Sequence, residues 1–324
     1  MKQFRSVLSY IFLTDDKSRL RAGWRLLIAV SLTVLSFNII DWVRHAMSIE
    51  GPTTGIVDFF VVTTVLFLTR QFVDKRSIAS LGLRMDKQAA LDVLAGIGIT
   101  FVLMLCVYVI EYAFGWLKFE SFAWQHEQPW EVVSQTLRHF VGYTRVAWTE
   151  ELVNRGYVLQ TIASGLNLPL AALITSISFG MGHLSNPNSS WMAAAGITFL
   201  ALFFVYGYAR TCQLWLPIGM HLGWNFFQSA VFGFPVSGFD RPGLLHIHVS
   251  GPELWTGGAF GPEAGMIMLP ISLLAVVLIH LYTKRDRISR SKMGNGPDEL
   301  NKKRQPTVGS NGCLFTKIER TIIE

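Results

Sequence analysis

Three short patterns hold most of the side chains in this sequence that could move a proton or steady a developing charge. Glu150-Glu151-Leu-Val-Asn-Arg155 sets two acids side by side, with a guanidinium four residues beyond the second. On a helix Glu151 and Arg155 share a face and can pair. Glu150 is turned by about 100° and shares that guanidinium less easily. One carboxylate is then neutralised while its neighbour is left to desolvation. Adjacent acids in a low dielectric have their pKa values pushed apart, which general acid–base work requires. Phe179-Gly-Met-Gly-His183 ends in a histidine flanked by Gly180 and Gly182, whose missing side chains let another helix or a substrate backbone approach. His221-Leu-Gly-Trp-Asn225 points an imidazole and an amide the same way. The amide can fix a histidine tautomer or donate to an oxyanion. Each pattern alone also has a structural reading: an ion pair locking two helices, a hydrogen-bonded interfacial histidine, or an interhelical polar clamp worth about 1 kcal/mol.

The elements that must carry these residues read as membrane spans. Of 324 residues 51% are hydrophobic and 15% charged, against about 25% charged in soluble domains, and mean hydropathy is +0.37. The apolar residues fall in runs near span length: Trp24–Val43, Gly55–Leu68, Leu91–Phe114, Trp130–Ala163, Leu168–His183, Trp191–Ala209, Leu214–Phe232 and Ala264–Tyr282. The expected fold is all-α, a polytopic transmembrane bundle of about eight helices. The second run is short for a span. The fourth is too long to lie wholly in hydrocarbon, and its first part reads as interfacial. A charge at mid-bilayer costs about 2.5–3.5 kcal/mol. Two acids, an arginine, two histidines and an amide on three spans are therefore hard to ascribe to structure alone. They are the parts for activating a water and stabilising a tetrahedral oxyanion.

Charge sets an expected topology. Lys2, Arg5, Lys17, Arg19, Arg21 and Arg25 precede the first run, and Arg70, Lys75, Arg76, Arg84 and Lys87 fill the second connection. Arg210 lies in the sixth, and Lys284, Arg285, Arg287 and Arg290 follow the last run. The alternate connections hold Glu50, Glu120, Glu127, Asp240 and Glu253. Both termini are thus expected in the cytoplasm of a multi-pass cell-membrane protein. The net charge of +6 belongs to this pattern, and no basic–aromatic patch accompanies it, which argues against nucleic acid. Phe4, Leu8, Ile11 and Phe12 recur at helical spacing among basic residues, so the leader 1–23 reads as an interfacial helix or a solvated segment. Residues 24–129 hold the N-terminal spans, 130–232 the helices with the three patterns, and 233–283 an external Gly- and Pro-rich loop (a partial lid on this reading) with the last span. Residues 284–324 read as a disordered basic cytoplasmic tail. Cys106, Cys212 and Cys313 form no CxxC pair, which argues against a cysteine zinc site.

In this order and on separate helices, the patterns resemble the EExxxR, FxxxH and HxxxN/D motifs of the CPBP family, the CAAX-protease and bacteriocin-processing intramembrane peptidases, also called Abi. Leu216-Pro217-Ile218 and Ser80-Leu81-Gly82-Leu83-Arg84 look like further parts of the family pattern. The resemblance covers mainly 130–232. It implies an intramembrane endopeptidase acting near the bilayer surface on a peptide or a lipidated protein tail. Glu150 would activate the water, Glu151 and Arg155 would position it, His183 and His221 would complete the polar centre, and Asn225 would help hold the oxyanion. The family also holds members known as immunity or scaffolding proteins, so a non-catalytic role is the alternative. Glu150, Glu151, His183 and His221 could together supply zinc with oxygen and nitrogen ligands. A glutamate-activated water without metal accounts for the same residues, and His126-Glu127 lacks the second histidine of HExxH. Substrate identity and oligomeric state are not legible in the sequence.

Overall fold

The computed structural model describes residues 11–14, 19–49 and 55–293, with 285–293 described by backbone alone. The leader's first ten residues and the tail beyond Met293 lie outside this range. The described residues form an all-α bundle with one small sheet. Helix α1 (Ala22–Ala46) is followed by α2 (Gly55–Leu68) and α3 (Lys87–Ala113). Strand β1 (Leu117–Phe122) leads to α4 (Pro129–Glu151), a π-helical stretch Leu152–Leu159 and α5 (Gln160–Gly165). Then come α6 (Leu168–Gly182), α7 (Trp191–Thr211) and α8 (Trp215–Asn225), the last with a π-helical extension Phe226–Val231. Strand β2 (Leu245–Val249), the short α9 (Glu253–Thr256) and α10 (Met268–Met293) complete the order.

Local chemistry explains where the helices begin. The Asp86, Asn167 and Ser190 side chains each accept from the backbone N–H three residues on, capping α3, α6 and α7. Pro169 in the first turn of α6 occupies a site where no N–H is needed.

Five helices among the described residues are long and apolar enough to cross a membrane: Ala22–Ala46, Gly55–Val73, Lys87–Ala113, Leu168–Ser185 and Trp191–Thr211. The second run reaches that length because a π-helical turn, Thr69–Val73, continues α2. α1 leaves Leu27, Val30, Val34, Leu35, Ile39 and Trp42 exposed, the surface expected against lipid rather than water. The seventh run is helical over α8 and its π-helical extension, and Leu216 to Asn225 are buried all round, as in a helix at the centre of a bundle. α10 contributes a shorter apolar segment, Met268–Lys284, and its backbone stays helical to Met293 rather than ending at the expected tail boundary.

α8 can sit at the centre because it presses directly on α3. A Cβ at Gly219 would fall 2.3 Å from Val93 O, and one at Gly223 2.9 Å from Ile97 Cα. Gly96 of α3 answers them, facing Met220 N at 2.5 Å. This is the small-residue contact by which membrane helices bring backbones together. The entry to α8 is tied to the stretch before α3: Leu214 N donates to Gly82 O at 2.8 Å, and Trp215 Nε1 to Arg84 O at 2.8 Å.

The sheet was not expected. β1 and β2 pair antiparallel, with Leu117 opposite Val249 and Phe119 opposite Ile247, and a register shift before Ser121. It ties the 233–262 connection, read from sequence as a plain loop, to the end of α3. Glu263 fixes the same connection from beneath. It is fully buried, accepts from Ser237 N at 3.0 Å and from Trp224 Nε1 at 3.4 Å, and so anchors the loop to α8.

Candidate active site

α4 carries a ridge at helical spacing (Tyr143, Val146, Glu150 and, past its end, Asn154) along one wall of a cavity of about 480 Å³. His183 and Gly182 from the end of α6, and His221 and Asn225 from α8, form the other walls. The three patterns therefore converge on one cavity. The π-helical turn begins at Leu152, directly after the two acids. Such turns insert a residue and re-aim side chains, and the two acids here face different surroundings.

Glu151 is fully buried and pairs with Arg155 at 2.9 Å, both side chains being at most 1% exposed. Its Oε1 also meets His221 Nδ1 at 2.8 Å, while its Oε2 is buried with no partner. Arg155 donates a second bond to Ala201 O at 3.1 Å. Its guanidinium lies 4.9 Å over the Phe179 ring and 5.4 Å over Phe204, where the ring faces attract a desolvated cation. Phe204 also stacks on His221, ring centroids 5.3 Å apart. Glu151, Arg155, Phe179, Phe204 and His221 thus form one interlocked unit across α4, α6, α7 and α8.

Glu150 stands outside that unit. Its side chain is 35% exposed, lines the cavity, and brings Oε2 to 3.8 Å from His221 Nε2. Nδ1 of His221 is thus turned to the Glu151 carboxylate, and Nε2 to Glu150 and the cavity. His183 Nδ1 is 2.8 Å from Phe179 O, the carbonyl one turn back, and the ring packs on Phe179 at 4.7 Å. The imidazole is held by its own helix end and lines the cavity. The two glycines beside it differ. A Cβ at Gly180 would fall 2.3 Å from Ala194 O on α7, so Gly180 serves helix contact; Gly182 meets nothing within 4 Å and leaves cavity wall open.

The four donors expected for zinc are not gathered as a ligand set. Among the described residues no three His, Cys, Asp or Glu side chains form a group that could hold a metal ion. Glu151 Oε1 is engaged by Arg155 and His221, and His183 Nδ1 lies against a carbonyl.

Sequence reasoning missed several cavity residues. Asn154 donates to Glu150 O at 2.8 Å and shares its wall, a neighbour that the i, i+4 spacing could have revealed. Ser237, Phe239 and Arg241, from the connection after α8, cover the cavity. They carry no sequence signal, since only Glu263 and the sheet bring them there.

Residues 132–227 match the family described as type II CAAX prenyl endopeptidase Rce1-like. Over 78 residues the chain is 35% identical to the candidate membrane peptidase YdiL of Bacillus subtilis (strain 168), covering 24% of this chain and 30% of that relative. The match thus spans under a third of the relative's length. No solved structure matches.

Proposed function

We propose that this protein, whose residues 132–227 match the type II CAAX prenyl endopeptidase Rce1-like family, belongs with the CAAX-protease and bacteriocin-processing peptidases and is an intramembrane endopeptidase that hydrolyses peptide bonds with a water activated by Glu150. The observation that carries this reading is the division of labour between the two acids. Glu151 is held by Arg155 and His221, whereas Glu150 faces the cavity 3.8 Å from His221 Nε2. An ionised Glu150 and a lone pair on Nε2 are both acceptors. A water at normal hydrogen-bond length, about 2.8 Å from each, donates to both and turns its own lone pair toward the cavity. That is the arrangement a nucleophilic water needs. Attack on a peptide carbonyl passes the water's proton to Glu150, which returns it to the leaving amine. The Asn225 side chain on the same wall is the group for the oxyanion. Glu151 and Arg155 act as positioning residues by fixing the His221 tautomer.

The substrate class rests on the matched family and relative: a peptide or a lipidated protein tail presented near the bilayer surface. We also infer the topology. Arg25, Arg70 and Asp74 are joined by ion pairs, and Gly165 packs on Ala22, so the start of α1 and the ends of α2 and α5 share one basic end. By the positive-inside rule this end is cytoplasmic. The cavity, lined by Asn186 and Ser237 from connections at the other end of α6, then opens away from the cytoplasm.

The test is cleavage of a peptide library, prenylated tails included, by the purified chain and by Glu150→Ala, each with and without a zinc chelator. Cleavage by wild type that Glu150→Ala loses while still folding supports the reading. A chelator effect would bring zinc into the site. A Glu150→Ala variant that cleaves like wild type would refute the role of Glu150. A folded wild type without cleavage would favour the immunity or scaffold reading.

A further inference from the structure

At the basic end, far from the candidate active site, lies a second cavity of about 710 Å³. Its walls include Arg19, Arg21, Arg25, Thr14 and Ser164, with Gly23 in the first turn of α1. Three features mark it as a place for an anion. First, Arg25 is 2% exposed; its terminal nitrogens bond Asp74 at 3.1 Å and Ser164 at 2.6 Å, but its Nε–H is buried without a partner. A buried guanidinium N–H without an acceptor is unfavourable. Second, α1 is 25 residues long and its N-cap, Arg21, makes no side-chain cap bond. The helix therefore directs its positive end and first-turn N–H groups here.

Third, positive charge is in excess. Asp74 is shared between Arg25 and Arg70. Among the described residues, Arg19, Arg21 and Arg25 line the cavity, and Arg70 and Arg76 lie close by. Burial, with Arg19, Arg70 and Arg25 close by, lowers the Arg76 guanidinium to about 10.

We propose that this cavity binds a phosphate group, carried by an anionic lipid or free in solution. The position favours the lipid. The cavity sits at the end of a helix long enough to cross a membrane, at the level where headgroups lie. Arg25 and the α1 N-terminus meet the phosphate oxygens, while Leu26 and Ile162 in the same walls accept the start of an acyl chain. Binding would tie α1 to α5 through Ser164 and to the end of α2 through Asp74.

The experiment measures thermal unfolding of the detergent-purified full chain with dioleoylphosphatidylglycerol, with dioleoylglycerol, which lacks the phosphate, and with inorganic phosphate. Native mass spectrometry counts retained lipid. We expect the phosphatidylglycerol to stabilise the protein and to be retained, and dioleoylglycerol to do neither. In Arg19→Gln/Arg21→Gln, which leaves the Arg25–Asp74 pair in place, affinity falls about 25-fold, roughly fivefold per arginine. Arg25→Lys, which keeps the charge but has no Nε donor, weakens binding as well. Stabilisation by inorganic phosphate too would identify a general phosphate site, and by phosphate alone a site for the free anion. The proposal is overturned if wild type responds to no phosphate-bearing probe, or if the double variant, folded without ligand, responds as strongly as wild type.

Discussion

Gly219→Ala tests how closely the site depends on the α3–α8 contact. The new methyl carbon would stand 2.3 Å from Val93 O and 2.8 Å from Val93 Cα. Both are backbone atoms, so no side chain can rotate away, and restoring ordinary contact needs the helices to part by about 1 Å. Overpacking of this kind costs about 1–3 kcal/mol, or roughly 2–10 °C in melting temperature. The displacement is carried to His221 and Asn225, two and six residues along α8. A 1 Å error in placement can lower a rate by about 100-fold. Gly98→Ala is the control on α3: a Cβ there meets nothing within 4 Å, so melting should hold or rise slightly as helix propensity improves. The assay is thermal unfolding of both variants in detergent, followed by peptide cleavage. If Gly219→Ala melts and cleaves like Gly98→Ala, the close contact does not position the site.

Three further predictions bear on other parts of the molecule. Arg155→Met leaves the Glu151 carboxylate buried without its cation and should lower stability by about 3–5 kcal/mol; the double variant with Glu151→Met should recover part of this in an unfolding cycle. Glu263, outside the spans, is raised by burial from 4.5 to about 7. Between those values the unfolded chain releases a proton that the folded chain keeps, so stability falls as pH rises, by about 3 kcal/mol in all. Melting temperature should drop from pH 5 to pH 7 in wild type and less so in Glu263→Gln; equal slopes would remove Glu263 as the cause. A membrane-impermeant thiol reagent added to intact cells should label Asp240→Cys and not Met85→Cys, and the reverse pattern would invert the topology.

Much of the site was legible because helical spacing is rigid. Four residues separate Glu151 from Arg155 and His221 from Asn225, and the first pair closes at 2.9 Å as that spacing implies. The different surroundings of Glu150 also follow from a 100° turn. The π-helical turns after Glu151 and Asn225 were not legible, since slipping one hydrogen bond leaves the apolar pattern intact. The same kind of turn lengthens α2 into a span. Leu245-His-Ile-His-Val249 does alternate like a strand, but nothing local names Leu117–Phe122 as its partner. That α8 is surrounded by protein was not legible, because a helix buried in protein and one buried in lipid are equally apolar. Nothing in the sequence marks Glu263; only the fold buries it.

The most direct test of the central claim is cleavage in water enriched in oxygen-18, comparing wild type with Glu150→Gln and Glu151→Gln. Melting curves would establish that each variant is folded. If Glu150 activates the water, wild type places one heavy oxygen in the new carboxyl terminus and folded Glu150→Gln releases no product. Glu151→Gln should retain a slow reaction with the same label. Cleavage by Glu150→Gln at the wild-type rate would contradict the account, because the acid facing the cavity would then not be the one that activates the water.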